Sequence, residues 1–117
     1  MRILALDTTG RIASAALWQG DRLVDYGEKD SQMNHSRTLL PVVQQLLEKQ
    51  GLSLDQMDVF AATVGPGSFT GVRIGVAAVK GYAWVTEKTC APVSTLESAA
   101  FAAPEGEGTL CALVKAR

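Results

Sequence analysis

The sequence predicts an α/β fold: a mixed five-stranded sheet built from a three-stranded antiparallel meander followed by crossover helices. Three observations predict it. Short apolar runs at 3–6, 12–18 and 23–28 are joined by tight polar links, the pattern of neighbouring antiparallel strands. Two longer segments, 35–50 and about 71–87, carry apolar residues at helical spacing. Each is followed by another short apolar run, at 59–64 and at 90–93, so strands and helices alternate as in a sheet flanked by helices.

The elements follow in order. Ile3–Leu6 is a continuous apolar run that stops at Asp7-Thr8-Thr9-Gly10, a turn signal, and reads as a buried strand. Ile12–Trp18 is the second strand, and Gln19-Gly20-Asp21 turns it into the third, Leu23–Glu28. His35–Gln50 is a helix, because Leu39, Leu40, Val42, Val43, Leu46 and Leu47 fall on one arc, wider than one-sided burial needs. Gly51 supplies its stop. Pro41 lacks an N–H, so the helix is expected either to start near Leu40 or to be kinked in its first turns. Val59–Val64 is the fourth strand, and the glycine loop Gly65–Gly71 leads from it into the second helix. Cys90–Val93 is a further strand, 94–103 a short helix, 104–108 a loop and 110–115 a last strand. No repeat, low-complexity tract or linker divides the chain before residue 103, so 1–117 reads as a single domain.

Composition narrows the function. Hydrophobic residues make up 47% and charged residues 20%, the profile of an ordinary globular protein. Eleven basic side chains face twelve acidic ones, whereas a domain that grips nucleic acid by itself carries a basic excess. Cys90 and Cys111 each sit in an apolar stretch and read as buried free thiols of a reducing compartment. The N-terminal apolar run is too short for a signal peptide or a membrane span, so a cytoplasmic protein is expected.

The glycine loop, Gly65-Pro-Gly-Ser-Phe-Thr-Gly-Val-Arg-Ile-Gly75, leaves a strand and opens a helix, where free N–H groups can hold an anion. It has no Walker lysine, Thr70 replaces the third glycine of a dinucleotide fingerprint, and Pro66 replaces the first glycine of a nucleophile elbow. Gly67 and Ser68 are candidate phosphate-facing residues. The competing reading gives the glycines a purely conformational role and makes Ser68 or Thr70 a helix cap. Asp7 and Thr8, at the end of the first strand, are candidates of the same kind, against a simple Asx turn. His35 is the only histidine; with no CxxC pair present, a metal site is not expected, and a structural role at the start of the first helix is.

The second helix points to a partner. At 100° per residue, Gly71, Ile74, Gly75, Ala78, Tyr82 and Val85 share one side, with the small residues allowing close approach. The other side has Arg73, Lys80 and Glu87 in a line, bordered by Val76, Ala77, Ala83 and Trp84. So thin a charged stripe on an apolar cylinder is unusual for a helix facing water. Arg73, Val76, Ala77, Lys80, Ala83 and Trp84 are therefore candidate partner-binding residues.

Taken together, these segments resemble a known family. The glycine segment 65–75 is similar to the hallmark of TsaB-type (YeaZ) proteins, and Ile3-Leu-Ala-Leu-Asp-Thr-Thr9, His35-Ser-Arg-Thr-Leu-Leu-Pro41 and Pro92-Val-Ser-Thr-Leu-Glu97 match in the same order. The resemblance implies an N-terminal lobe of the ribonuclease-H-like, actin-like superfamily, whose second lobe this chain does not reach. It implies a non-catalytic partner of a TsaD-type subunit, with a TsaE-type ATPase completing the assembly, in the formation of N6-threonylcarbamoyladenosine in tRNA. tRNA would be met only through that complex, and the two helices would pack on the partner; apart from the resemblance, an apolar helix face without its partner often pairs with itself, which leaves a homodimer open for the lobe alone. The catalytic sister subunit carries a His-x-x-x-His metal pair where this chain has Thr95 and Ala99, so no catalytic residue and no metal or other cofactor is expected. One lobe alone is expected to bind ATP weakly or not at all. The chain also reads Lys115-Ala116-Arg117 where the family typically has Asp-Ala-Arg. The rival reading is an ATP-binding lobe of an actin–hexokinase-group phosphotransferase or ATPase.

Overall fold

The computed structural model describes residues 1–20, 22–30, 34–67 and 69–94. Of the helix expected at 94–103, Ser94 instead ends a strand, and the rest, with the elements expected at 104–108 and 110–115 and with Cys111, Thr95, Ala99 and Ser68, lies outside the described residues. Five strands, β1 (Arg2–Asp7), β2 (Ile12–Gln19), β3 (Arg22–Asp30), β4 (Val59–Gly65) and β5 (Thr89–Ser94), form one sheet in the order β3-β2-β1-β4-β5. β1–β2 and β2–β3 are antiparallel, while β1–β4 and β4–β5 are parallel. Helices α1 (His35–Gln50) and α2 (Phe69–Thr86) make the two crossovers, and a 3-10 turn at Leu54–Gln56 precedes β4.

Register explains where the core sits. Leu4 lies opposite Leu17 on one side and Phe60 on the other, and Leu6 opposite Ala15 and Ala62. Strand side chains alternate between faces, so these six point to one face. Onto it α1 brings Leu39, Val42, Val43, Leu46 and Leu47, and α2 brings Val79 and Ala83. Both helices therefore cover the same face of the sheet. Across the other face runs a row of small side chains, Ala16, Ala5, Ala61 and Ala91, between neighbours Tyr26 and Trp18 on one edge and Asp7, Ser14 and Thr63 on the other.

Pro41 does not delay α1, which begins at His35, five residues ahead of Leu40. Pro41 is exposed, so the missing donor faces water, and burial of Leu39, Val42 and Val43 holds the turns on either side. Gly51 closes the helix at φ 65° and ψ 31°, its N–H bonding Glu48 O. Cys90 corrects an expectation: it is exposed, because among the described residues β5 is the edge strand and the last turn of α2 is what approaches its end.

The start of β1 is held by a carboxylate. Asp58 Oδ2 accepts the Arg2 N–H at 2.8 Å, and Asp58 N–H donates to Arg2 O at 2.9 Å. The first of these bonds is the main reason the Asp58 carboxyl lies below its ordinary range. A group stabilised as its anion in the fold contributes fully above the unfolded carboxylate pKa, about 3.9, and loses that contribution as pH falls further. Asp58→Asn should flatten the acid limb of the stability–pH curve measured by urea unfolding. An unchanged limb would exclude the role.

Candidate functional site

The turn after β1 and the glycine loop meet in the interior. Thr8 is fully buried, and its hydroxyl donates to Gly71 O at 2.5 Å. A Cβ on Gly71 would lie 2.0 Å from Thr8 O, and one on Gly75 2.5 Å from Thr8 Oγ1. The two glycines are spaced one helical turn apart, so the bare side of α2 lies directly on the β1 turn. A Cβ on Gly67 would stand 2.6 Å from Thr9 Cβ. The Thr8 hydroxyl is thus engaged inside the fold and does not present itself to a phosphate, while Gly67 is exposed with its bare Cα against Thr9.

Asp7 takes the Asx-turn reading. Its Oδ1 accepts the Thr9 N–H at 2.9 Å and the Thr9 hydroxyl at 2.7 Å. It lines the sheet face away from the helices, beside Ser14 and Thr63, whereas Thr8 points into α2. Thr9 links the β1 turn and the glycine loop: it bonds Asp7 Oδ1 and fills the space beside Gly67. Of the residues expected to face a phosphate, Thr8 has its hydroxyl engaged inside the fold and Asp7 has one carboxylate oxygen engaged by Thr9. His35 is 3% exposed at the first position of α1, with Nε2 2.6 Å from Gly10 O. As donor to that carbonyl, Nε2 carries the proton, and the ring ties α1 to the β1–β2 turn.

The outward side of α2 is the surface that stands out. Buried residues follow Gly71, Gly75, Val79 and Ala83. Ala83 is therefore a core residue, 7% exposed, and does not belong with the candidate partner contacts. Val85, expected on the packed side, is 76% exposed. The close seat of Gly71 and Gly75 on Thr8 sets the helix rotation, and leaves Ile74, Ala78 and Tyr82 half-buried at its margin. Val76 is half-buried, while Arg73, Ala77, Lys80 and Trp84 point to water. Trp84 is 85% exposed.

Phe69, exposed at the start of α2, was not singled out in the sequence. Arg73 lies over its ring, 5.6 Å from the centroid, and the i, i+4 spacing of an aromatic residue and an arginine was the available signal. Between the two helices lies a groove of about 330 Å³ lined by Leu40, Val43, Leu47, Leu52, Leu54 and Tyr82, with Gln44 and Glu48 at its rim. Leu40 is half-exposed there, so the apolar surface continues from α2 onto α1.

Comparison with known proteins gives a consistent result. A family model described as TsaD: tRNA N6-adenosine threonylcarbamoyltransferase matches residues 29–117. The chain is 37% identical over 106 residues to the tRNA threonylcarbamoyladenosine biosynthesis protein TsaB of Haemophilus influenzae, covering 90% of this chain and 44% of that one. It is 43% identical over 96 residues to the protein of the same description in Escherichia coli, covering 82% and 41%. Among solved structures, YeaZ from Pseudomonas aeruginosa superposes with a TM-score of 0.76 at 37% identity, over 81% of this chain and 44% of that one. Thermus thermophilus RuvC superposes at 0.51 with 12% identity, over 83% and 66%, a likeness of the ribonuclease-H-like fold alone. The chain spans less than half the length of these TsaB and YeaZ relatives.

Proposed function

The chain belongs to the TsaB (YeaZ) family, and from that premise we propose that it serves the formation of N6-threonylcarbamoyladenosine in tRNA as a non-catalytic docking subunit. Its partner is a TsaD-type catalytic subunit, a TsaE-type ATPase joins the assembly, and tRNA is met only through that complex, in the cytoplasm.

One observation carries the reading: the outward face of α2 presents Trp84, Ala77 and Phe69 to water, and α1 adds half-exposed Leu40 at the groove it shares with Tyr82. Interface centres are rich in tryptophan and poor in charge, and a helix pair with such a surface matches a helical partner. The non-catalytic role is supported by the engagement of His35 with Gly10 inside the fold and by the near balance of charge, which gives the lobe no strong hold on tRNA. The rival ATP-binding lobe loses one candidate contact, Thr8, to interior packing.

Light scattering after size-exclusion chromatography tests the proposal, on this chain alone and mixed with the TsaD-type subunit of the same organism. The expected result is a mixed complex that forms without nucleotide. Two separate peaks from well-folded proteins at about 10 μM, a concentration at which interfaces of ordinary size are occupied, would reject it.

A further inference from the structure

We propose that the polar end of the open sheet face is a binding site for a guanidinium group, held by Asp7, Glu28, Ser14 and Thr63 and flanked by Tyr26 and Trp18. The site lies across the sheet from α1 and α2 and is independent of the docking role proposed for their outward face.

Register builds the row. Ser14 stands opposite Asp7 on one side and Glu28 on the other. One residue beyond the Leu6–Ala62 pair, the parallel register brings Thr63 beside Asp7. Successive side chains of a strand point to opposite faces, so all four share the face that the helices leave bare. They line one cavity of about 370 Å³, floored by Ala5, Ala16 and Ala61 and walled by the exposed rings of Tyr26 and Trp18. The row crosses the carboxyl ends of β1 and β4, where open sheets take their ligands.

The polar groups of this row lack partners inside the fold. Thr63 is 6% exposed, and its Oγ1 is buried without a hydrogen bond. A buried hydroxyl left unpaired is costly, so it points to a partner supplied from outside. Asp7 gives Oδ1 to the Thr9 N–H and hydroxyl, and among the described residues Oδ2 stays without a hydrogen bond. No lysine or arginine lines the cavity, so the two carboxylates face it without a countercharge. The matching ligand is therefore a cation, and the spacing selects its shape. Asp7 and Glu28 stand two strands apart, about 10 Å between their backbones. Among the described residues no third carboxylate, histidine or cysteine joins them. A single metal ion needs its ligand atoms within about 2.5 Å of one point. A guanidinium is instead a plane with N–H donors along its rim: it can meet carboxylates and hydroxyls in several directions while its faces lie on aromatic rings. The ammonium of a lysine is a compact point charge that spans less.

The test follows the indole N–H signals of the full chain in proton–nitrogen NMR spectra during titration with N-acetyl-arginine methyl ester, whose one charge is the guanidinium. Trp18 should report binding with a Kd of about 1 mM, as suits a small ligand in an open site. Trp84, which points outward from α2 on the other side of the molecule, should stay still. The corresponding esters of citrulline, the uncharged isostere, and of N-acetyl-lysine should bind about tenfold more weakly. Asp7→Asn and Glu28→Gln should each weaken binding about fivefold, as expected for exposed ion pairs. Asparagine keeps the Oδ1 that holds the Thr9 turn, so thermal melts should match the wild type. A blocked Leu-Arg-Leu tripeptide separates the sources of the group. Binding about tenfold tighter than the ester means that the guanidinium arrives on a polypeptide whose apolar neighbours use the alanine floor, and equal binding means a small guanidino compound. No response of Trp18 to ester or tripeptide at about 50 mM would overturn the site. Equal binding of the citrulline ester, or tighter binding of magnesium chloride at the same residues, would overturn the assigned chemistry.

Discussion

Gly71→Ala should cost about 3 kcal/mol of folding stability, at the upper end for overpacking, because the added carbon meets backbone, not a movable side chain. It would stand 2.0 Å from Thr8 O, with His35 Cδ2 at 3.2 Å. Relief requires α2 to lift from the β1 turn, which stretches the Thr8–Gly71 hydrogen bond inside the protein. Gly81, ten residues further along the same helix, is the contrast: a Cβ there meets nothing within 4 Å. Gly81→Ala should stabilise by up to about 1 kcal/mol through reduced chain entropy and better helix propensity. Urea unfolding monitored by far-UV circular dichroism reads both. Opposite signs are expected, and a Gly71→Ala midpoint equal to wild type would contradict the close seat of α2.

The second large effect is on binding. Trp84→Ala should weaken association with the TsaD-type subunit by about 2 kcal/mol, roughly thirtyfold, as expected for a tryptophan at an interface centre. Stability should change by less than about 0.5 kcal/mol, since the side chain is 85% exposed and packs on little. Ala77→Asp should act in the same direction by burying an unpaired carboxylate in the contact. The pairing of lost affinity with an unchanged melting curve separates a docking residue from a core residue. Ala83→Asp is the reverse control, because Ala83 lies in the core and its variant should unfold. Affinity within twofold of wild type for both Trp84→Ala and Ala77→Asp would remove α2 from the interface.

Much of the fold was legible because period and punctuation agree. The helix His35–Gln50 was legible to its end, since a wide apolar arc stops at Gly51, which can take the left-handed conformation, while Pro41 left its start open. The meander and both crossovers follow from short polar links and alternating elements. The rotation of α2 was less legible. Apolar residues occur nearly all round this helix, so periodicity alone cannot choose between an axis through Ile74–Ala78–Tyr82 and one through Gly71–Gly75–Val79–Ala83. Contact of the two glycines with Thr8, distant in sequence, decides it and exchanges the places of Ala83 and Val85. The same contact decides Thr8, whose hydroxyl bonds Gly71 O: a threonine beside an aspartate looks alike in sequence whether it faces a phosphate or the interior. Exposure of Cys90 was hidden because apolar neighbours in sequence say nothing about an edge strand's cover.

The central position of β1 bears on how the chain comes to fold. The ribosome makes β1 first, yet its parallel neighbour β4 arrives 56 residues later in register, as Ile3 against Val59. During synthesis β1, β2 and β3 can form a hairpin array early, but the apolar face of Leu4, Leu6, Ala15 and Leu17 stays wet until α1, β4 and α2 follow. Closing so long a loop is slow, and contacts of high sequence separation set the pace of folding. Phe60, fully buried on β4 opposite Leu4, is the residue through which the late half grips the early one. The nascent protein thus passes through a stage in which part of its apolar sheet face is exposed before its cover exists, which is the stage a chaperone would meet.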